Sequence, residues 1–419
     1  MHTEAEDAGT IGARARRIRR RRGLSLEVVA GLAGITAGYL SMLERGLRGF
    51  NRRGLLEDLA HALGCSVADL TGQPYLLRDR DTTATIAAVT GVGEALHDAT
   101  LNDVPDLQVR PLRELVGAAA QANIDRDNAL YVAAGRDLGA LLTELHVYAV
   151  TGDGDERRQA LAALVEACQV AYHLARLTGR AELAMTAAER GYDAAQLVER
   201  PDLAGLMAMN VSGGLMRLGA KRRAASVCRD ALGEVSALPG PTPSDTRVAE
   251  AQGMLLLTAG LWAARANRAD DTTAYLAEAR GLAAHTGERN HLHFHFGPTN
   301  VAAWELGLAV ECDNGPDAAE RFVITPLDMS VFASKEREAD VTFDLARAWA
   351  QAEGARDGEA LRALDSADRL APLRIRNDPI AQDLVITLDR RARGPRPWEL
   401  DSLCNRFGVG RSVLRSVKN

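Results

Sequence analysis

Residues 23–46 read GLSLEVVAGLAGITAGYLSMLERG, and this stretch decides the fold of the N-terminal region. Ser25 can cap a helix over residues 26–33, in which Val28, Val29 and Leu32 form an apolar stripe. Gly34 follows this helix, and Thr36 can cap the next one, over residues 37–45. The stretch therefore predicts two short helices joined by a tight turn that contains glycine.

Three further helices are predicted around this pair. The first covers residues 11–22, with Ile11, Ala15 and Ile18 on one face, and Gly23 ends it as a residue free to adopt a positive φ. The others cover 55–63 and, behind the cap residue Ser66, 67–70. Five helices in about 60 residues, with a small polar start to the third, are typical of a helix-turn-helix domain.

Charge separates this N-terminal region from the rest of the chain. Residues 10–55 contain 11 arginines and two acids, so this segment carries +9 and the remainder −15 of the net −6. Basic modules on acidic bodies are typical of nucleic-acid binders that carry a separate sensor or partner domain. A solvated basic helix gives the same charge pattern, so the charge alone leaves both interpretations open.

The sequence over 23–72 resembles the lambda-repressor and Cro-type fold of the xenobiotic-response-element class of bacterial regulators. The resemblance depends on the Ala30 and Gly34 pair, which is expected to allow close helix crossing, on YLSMLERG at 39–46, and on LAHALGCSVADL at 59–70. It implies that the third helix enters the major groove of DNA, and that Arg19 pairs with Glu44. An exposed pair of this kind is worth less than about 1 kcal/mol.

The resemblance also implies a set of DNA-contacting residues. The helix starts face base edges or flanking phosphates, and the arginines of the following loop bind the phosphate backbone. Arg52 can instead enter a narrow minor groove. The predicted set is Ser25, Thr36, Ala37, Gly38, Tyr39, Ser41, Arg45, Arg48, Arg52 and Arg53.

One position departs from the family pattern. Leu26 stands where the family often has a phosphate-contacting Gln, and the tip of the third helix offers Ala37 and Gly38. Neither residue can make a bidentate base contact, so we expect affinity to depend on phosphate contacts and specificity to depend partly on DNA shape and dimer spacing.

After residue 72 the composition predicts an α-helical body. Aromatic residues make up only 4% of the chain, and Ala, Leu, Glu and Arg recur with helical spacing from 86 to 393. Four helices carry small residues seven apart, at 187–194, 224–231, 272–279 and 360–367, each behind an upstream helix. The last of them resembles the second helix of a tetratricopeptide repeat. An α-solenoid of degenerate repeats is predicted, with an irregular helical bundle as the alternative.

A second resemblance covers 10–393. FGPTNV at 296–301, inside a helical array that follows the lambda-type module, is similar to large regulators of high-G+C Gram-positive bacteria with tetratricopeptide-like sensor regions. Four divisions follow: a helix-turn-helix DNA-binding domain over 10–72, a linker over 73–85, a helical sensor and dimerisation domain over 86–395, and a C-terminal cap or tail over 396–419.

Metal, cofactor and catalytic signals are weak. His291, His293 and His295 have a spacing that could bind Zn²⁺ in an extended stretch, but the preferred interpretation is a loop with solvated histidines and a buried Leu292. The five cysteines form no CxxC pair and are expected to be buried, inert thiols. Nucleophile-elbow, zinc-protease, Walker and dinucleotide motifs are lacking, so no enzyme, cofactor or metal site is predicted.

The sequence thus predicts an all-α transcriptional regulator that binds a pseudo-palindromic DNA operator as a homodimer. A peptide or small-molecule effector is expected in the helical domain near Asn210 and Asn300, which lie among apolar residues; capping or core pairing is the alternative for both. The alternative function is an adaptor whose solenoid docks a partner protein. A signal-type or membrane-spanning apolar segment is lacking, so a cytoplasmic location is expected.

Overall fold

The computed structural model describes residues 10–73, 79–242, 244–392 and 396–409. Within these ranges the chain is all-α, with 22 α-helices and one 3-10 helix over Met329–Phe332. These ranges contain no β-strand, only an isolated β-bridge between Thr242 and Asp245. Parts of the predicted linker (74–78) and of the predicted C-terminal tail (410–419) lie outside the described residues. The predicted all-α class is confirmed.

Five helices form the N-terminal domain, and each begins and ends within two residues of its predicted bounds. Thr36 and Ser66 cap their helices as predicted, with hydrogen bonds from the backbone N–H of Tyr39 and Asp69. Ser25 does the same for the second helix. The helices are α1 (Ile11–Arg21), α2 (Leu26–Leu32), α3 (Ala37–Glu44), α4 (Arg53–Leu63) and α5 (Val67–Thr71).

The core of this domain forms around α3. Leu40 and Leu43 are fully buried, as predicted. The predicted stripe of α2 is only partly correct: Val29 faces the core, but Val28 and Leu32 are 49% and 64% exposed. The register of α2 turns the latter two outward because Ala30, not Leu32, completes its buried face.

The predicted Arg19–Glu44 pair is confirmed and is buried. Arg19 donates through Nε to Glu44 Oε1 at 2.6 Å and through Nη2 to Glu44 Oε2 at 2.7 Å. This two-point geometry fixes α1 against α3. Because both side chains are buried, the pair is not the weakly stabilising exposed contact considered above. Removing either partner would leave the other as an unpaired buried charge.

Two glycines of this domain have different roles. The expectation that Gly34 permits a close helix crossing is wrong, because a Cβ there would meet no atom within 4 Å. The backbone instead explains why glycine stands at this position: its φ is +68°, in the left-handed region that residues with a Cβ rarely adopt. The close crossing occurs at Gly12, where a Cβ would lie 2.0 Å from the carbonyl oxygen of Leu43.

The rest of the described chain is a series of helices in which chain neighbours pack together, the arrangement of an α-solenoid. The helices are α6 (Arg80–Asp98), α7 (Leu112–Asp127), α8 (Tyr131–Gly135), α9 (Leu138–Thr151), α10 (Gly154–Leu177), α11 (Ala181–Leu197), α12 (Pro201–Arg217), α13 (Lys221–Ser236), α14 (Arg247–Arg265), α15 (Ala269–Thr286), α16 (Pro298–Glu311), α17 (Gly315–Ile324), α18 (Lys335–Ala350), α19 (Asp357–Leu370), α20 (Pro372–Arg376), α21 (Pro379–Arg391) and α22 (Trp398–Arg406).

The predicted repeat helices are the second members of packed pairs. They lie within α11, α13, α15 and α19, and the upstream helices are α10, α12, α14 and α18. Small residues at the seven-residue spacing let the paired helices approach closely. All eight of these small residues are buried: Ala187, Ala194, Ala224, Ala231, Thr272, Ala279, Ala360 and Ala367.

The helical domain begins earlier than the linker prediction over 73–85 implies. Asp79 caps α6 by accepting a hydrogen bond from the backbone N–H of Thr82, so residues from Arg80 onward are helical. In the described part of the chain, no single helix is both long and apolar enough to cross a membrane. The helices α2 and α3 pass the same test together, but the break between them bends the pair by 104°.

Candidate functional site

The starts of α2 and α3 form an exposed, polar surface. Ser25, Thr36 and Gly38 are exposed, and Ala37 and Ser41 are half-buried. The cap bonds to Val28 and Tyr39 hold the two hydroxyl groups at the helix starts. A helix start presents backbone N–H groups and a partial positive charge, so it can bind a phosphate.

The loop after α3 contacts the helical domain instead of lying free on the surface. Of its four predicted DNA-contacting arginines, only Arg45 is exposed, and its Nε donates to the carbonyl oxygen of Ser41. The other three are paired with carboxylates of the helical domain. The pairs are Arg48–Glu353, Arg52–Asp313 with 3.9 Å between Nε and Oδ1, and Arg53–Asp378 with 2.5 Å between Nη2 and Oδ2.

Tyr39, another predicted DNA contact, lies beside the same loop. It lines a small cavity between the two domains together with Arg48 and Gln351. Burial raises the pKa of the Tyr39 hydroxyl, with Arg52 opposing the shift. The side chain therefore faces the domain contact, unlike the exposed start of its own helix.

Glu311, at the end of α16, is the centre of the contact between the domains. Its carboxylate accepts hydrogen bonds from the backbone N–H groups of Arg53 (3.2 Å) and Gly54 (3.0 Å) and from Arg347 Nη2 (2.5 Å). Burial alone would raise the pKa of Glu311, but Arg265 and Arg347 outweigh it and lower the pKa to about 2. The start of α4 is thus fixed to a buried, ionised carboxylate.

Further contacts extend this interface along the loop and α4. Phe50 donates its backbone N–H to Asp383 Oδ2 at 2.7 Å, and Arg347 Nε donates to the carbonyl oxygen of Asn51 at 2.9 Å. Burial raises the pKa of Asp383 to about 6, although the Phe50 N–H opposes this shift. Two more ion pairs join α4 to the helical domain, Glu57–Arg265 and Asp58–Lys221.

A cavity of about 270 Å³ lies inside the helical domain, and both predicted effector-binding asparagines line it. Asn300 is bonded within the protein: its Nδ2 donates to the Phe294 carbonyl oxygen at 2.8 Å, and its Oδ1 accepts from Arg337 Nε at 2.9 Å. Asn210 is 2% exposed, and among the described residues its amide contacts only Met207 Sδ, at 3.7 Å.

The histidine-rich loop closes one side of this cavity. The prediction that its histidines are solvated is correct for His291, which is exposed, but wrong for His295, which is buried; His293 is half-buried. His293 and His295 both contact Asp127, and both adopt a positive φ. The pKa of Asp127 is lowered: burial acts to raise it, but the hydrogen bonds to the two imidazoles outweigh this effect. His291 Nδ1 lies 2.6 Å from Glu250 Oε1.

In the ranges that the structure covers, no three His, Cys, Asp or Glu side chains are grouped to hold a metal ion. All five cysteines are free thiols. Cys168, Cys228 and Cys404 are buried as predicted, whereas Cys65 and Cys312 are half-buried.

Sequence reasoning missed the arginines that line the cavity. Arg176, Arg217 and Arg265 each stand near the C-terminal end of a helix, where a cation is favourable and common. The only signal in the sequence is their helical spacing from the buried residues, which places them on the same side of the helix. The three side chains reach one cavity because of the order in which the helices stack, and no local pattern encodes that order.

The comparisons with known proteins agree with the N-terminal geometry. Residues 10–71 match a family model described as a helix-turn-helix domain, so α1 to α5 belong to that class. No curated protein sequence matches the chain. Among solved structures, the crystal structure of Bacillus thuringiensis PlcR in complex with the peptide PapR7 and DNA matches with 10% identity over 87% of this chain and 95% of that chain. The TM-score of 0.25 is too low for this match to carry an argument.

Proposed function

We propose that the chain is a sequence-specific, DNA-binding transcriptional regulator that acts in the cytoplasm by binding, without catalysis. The observation that carries this proposal is the helix-turn-helix domain over 10–71 with exposed polar starts of α2 and α3. In this arrangement the start of α3 enters the major groove, and the start of α2 binds an adjacent phosphate.

The domain contact supplies the regulatory half of the proposal. Arg48, Arg52 and Arg53 remain the proposed phosphate contacts, and carboxylates of the helical domain now occupy them. DNA phosphates would therefore compete with these carboxylates for the same guanidinium groups. A change in the helical domain that moves α16 or α21 would change the affinity for DNA, which is a coupling between two sites.

The proposal includes a homodimer on a pseudo-palindromic operator. One module of this size contacts too few base pairs for useful selectivity. Two modules contact twice as many base pairs when their half-sites lie one helical turn apart, about 34–36 Å. The same proposal includes a DNA-binding domain (10–72), a linker that ends before Arg80, a sensor and dimerisation domain that begins with α6 and extends to 395, and a C-terminal cap (396–419).

A selection experiment tests DNA binding. The full chain is incubated with a random-sequence duplex library, and bound duplexes are sequenced; a pseudo-palindrome with half-sites one turn apart is expected. The Gly38→Glu variant should enrich no motif, because its carboxylate would face DNA phosphates. A Cβ at residue 38 meets no atom within 4 Å, so this variant should keep its fold.

Gly233→Glu is the matched control, because residue 233 is also a helical, exposed glycine without neighbours within 4 Å, far along the chain in α13. It should enrich the same motif as the unmodified chain. Failure of the unmodified chain to enrich any motif, or enrichment by Gly38→Glu, would contradict the proposed function.

The effector site is proposed in the cavity that Asn210 and Asn300 line. Asn300→Ala should lower the melting temperature, because it removes the hydrogen bonds to the Phe294 carbonyl oxygen and from Arg337 Nε, a cost of about 1–3 kcal/mol. Asn210→Ala should change the melting temperature little, since among the described residues its side chain forms a hydrogen bond only to Met207 Sδ, and this bond is weak. Equal decreases for both variants, measured by thermal unfolding, would mean that Asn210 is structural.

A further inference from the structure

The cavity in the helical domain has a cationic wall. Eight arginines and five carboxylates line it, and the apolar part of the lining includes Met209, Trp262 and Trp304. Buried charges are normally paired, because an unpaired ion in a protein interior has lost its hydration without compensation. An arginine that is paired with a carboxylate is therefore explained by the fold, whereas an arginine without such a partner is a candidate for binding a ligand.

Most of these arginines are held by carboxylates. Each of the paired ones contacts one or two acids at ion-pair distance, so its charge is balanced and its position is fixed. The pairs are Arg53–Asp378, Arg126–Asp127, Arg126–Glu336, Arg265–Glu57, Arg265–Glu311, Arg347–Glu311, Arg347–Asp344, Arg374–Asp340 and Arg374–Asp378.

Three of the eight arginines are different, because among the described residues Arg176, Arg217 and Arg337 form no ion pair with a carboxylate. Arg337 Nε instead donates to Asn300 Oδ1 at 2.9 Å, and its guanidinium lies over the rings of Trp304 and Phe332. Arg217 Nη1 donates to the carbonyl oxygen of Gly213 at 3.2 Å, and Arg176 Nη2 donates to His173 Nδ1 at 3.3 Å. Arg176 Nε is buried and has no hydrogen-bond acceptor in the described part of the chain.

The electrostatic surroundings agree with this geometry. Burial lowers the pKa of Arg217 to about 10, and repulsion by Arg176, Arg53 and Arg265 contributes to the shift. At neutral pH the guanidinium is still charged. Burial and nearby arginines also lower the pKa of His173 well below its ordinary value, so the neighbour of Arg176 is a neutral imidazole. This part of the wall therefore lacks negative charge.

A second cavity, of about 720 Å³, adjoins the first and lies between α4 and α5 of the helix-turn-helix domain and the helical domain. Arg53, Arg176, Arg217, Arg265 and Arg374 line both cavities. Arg176 and Arg217 thus lie where the two cavities meet, beside Arg53, which takes part in the domain contact.

We propose that Arg176 and Arg217 bind the acidic group, a carboxylate or a phosphate, of a small organic anion whose apolar body packs on Trp262 and Trp304. Asn210, which is buried and lines the same cavity, donates a hydrogen bond to this ligand. A volume of about 270 Å³ lies near the lower end of the range of small-molecule pockets, roughly 300–1,000 Å³. Only the identification of this anion as the effector rests on the proposed function.

Isothermal titration calorimetry tests the site on the full chain. The probes are benzoate, phenyl phosphate and inorganic phosphate, with neutral benzamide as the uncharged comparison, all at one ionic strength in chloride. Saturable binding of benzoate or phenyl phosphate is expected, and benzamide should not bind. The stronger of the two organic probes distinguishes a carboxylate site from a phosphate site.

Variants assign the binding to the two arginines. Arg176→Gln and Arg217→Gln should each weaken the binding of the organic anion by about tenfold or more, because each removes a charge-assisted hydrogen bond. Arg223→Gln, an exposed arginine on α13, is the matched control and should bind as the unmodified chain does. Absence of saturable binding for all three anions, or unchanged binding by both variants, would overturn the proposal.

Thermal unfolding without a ligand separates a binding role from a structural one. Arg217→Met should keep or raise the melting temperature, because the change removes a half-buried charge that has no carboxylate partner in the described part of the chain. A fall of several degrees would mean that Arg217 supports the fold, and it would also overturn the proposal. Failure of DNA selection by the unmodified chain, with anion binding retained, would contradict only the proposed function.

Discussion

The start of α3 and the loop that follows it share a predicted role in DNA binding, but they differ in what they contact. Thr36 and Gly38 are exposed, and the hydrogen bond of Thr36 stays within its own helix. Arg53, in contrast, contacts Asp378, which lies 325 residues later in the chain. The comparison teaches that a motif can be complete in its local structure while part of its predicted DNA-binding surface is occupied by another domain.

The two regions also depend on different energies. The exposed helix start is held by one side-chain cap, which is worth about 0.5–2 kcal/mol. The loop depends on buried charges such as Glu311, whose removal takes one of two carboxylate partners from each of Arg347 and Arg265. Substitutions in the loop contact should therefore have larger effects than substitutions at the helix start.

The largest effect is expected for Glu311→Ala. It removes a buried carboxylate that two guanidinium groups share and leaves the backbone N–H groups of Arg53 and Gly54 without their acceptor, so the free energy of unfolding should fall by about 3–5 kcal/mol. Denaturant unfolding measures this decrease. Asp317→Asn, an exposed acid on the next helix, is the control and should change little. A decrease below about 1 kcal/mol for Glu311→Ala would show that the domain contact contributes little to stability.

The second effect concerns pH and Asp383. Its pKa in the folded chain, about 6, lies above the ordinary value of 3.8. The folded state therefore holds this proton more tightly, and stability falls as the pH rises from about 4 through 6, by on the order of 2–3 kcal/mol. Glu311 acts in the opposite direction, since its lowered pKa makes stability fall as the pH drops from about 4.5 towards 2.

Asp383→Asn separates the two contributions. An amide oxygen can still accept the Phe50 N–H, but it does not ionise, so the decrease in stability between pH 4 and pH 6 should shrink. The measurement is the unfolding midpoint at pH 4.5 and pH 7.5, beside Asp317→Asn as the control. An unchanged difference between the two pH values would contradict the role given to Asp383.

The third prediction asks whether the loop arginines bind DNA in addition to the helical domain. The double variant Arg52→Ala, Arg53→Ala should weaken binding to all duplexes and flatten the dependence of log K on log salt by about 0.9 for each phosphate that is no longer neutralised. Fluorescence anisotropy with a selected duplex, titrated at several salt concentrations, measures both quantities.

Arg45→Ala is the matched comparison for this double variant, because Arg45 is exposed and forms no ion pair with the helical domain in the described structure. A salt slope that changes with Arg45→Ala but not with the double variant would mean that Arg52 and Arg53 serve only the domain contact.

The smallest effect is expected at the helix start. Thr36→Ala removes the hydrogen bond to the Tyr39 N–H and should cost about 1 kcal/mol, while leaving the salt dependence of DNA binding unchanged. Thr273→Ala, an exposed threonine in α15, is the control for stability. A change in salt slope for Thr36→Ala would place a phosphate contact at this hydroxyl, and the two regions would then differ less than the structure indicates.

Much of the fold could be predicted because its signals are local. Caps at Ser25, Thr36 and Ser66, glycines at helix ends, and small residues seven apart act within one helix or one helix pair. The predicted stripe of α2 is wrong at Val28 and Leu32 because both are apolar but face outward, and only packing against neighbouring helices distinguishes them from Val29. The predicted DNA contacts and the effector site stay predictions.

The sequence by itself determined the helices, their pairing and the helix-turn-helix, because hydrogen bonds and apolar stripes that form these features join residues close in the chain. It also determined the Arg19–Glu44 pair, through the resemblance of the domain. Only the tertiary structure decided that Arg53 contacts Asp378 and that Arg176 and Arg217 share one cavity. Contacts between residues so far apart in the chain depend on how many helices lie between them and on how each helix pair is rotated against the next. The sequence of a single helix does not encode this accumulated rotation.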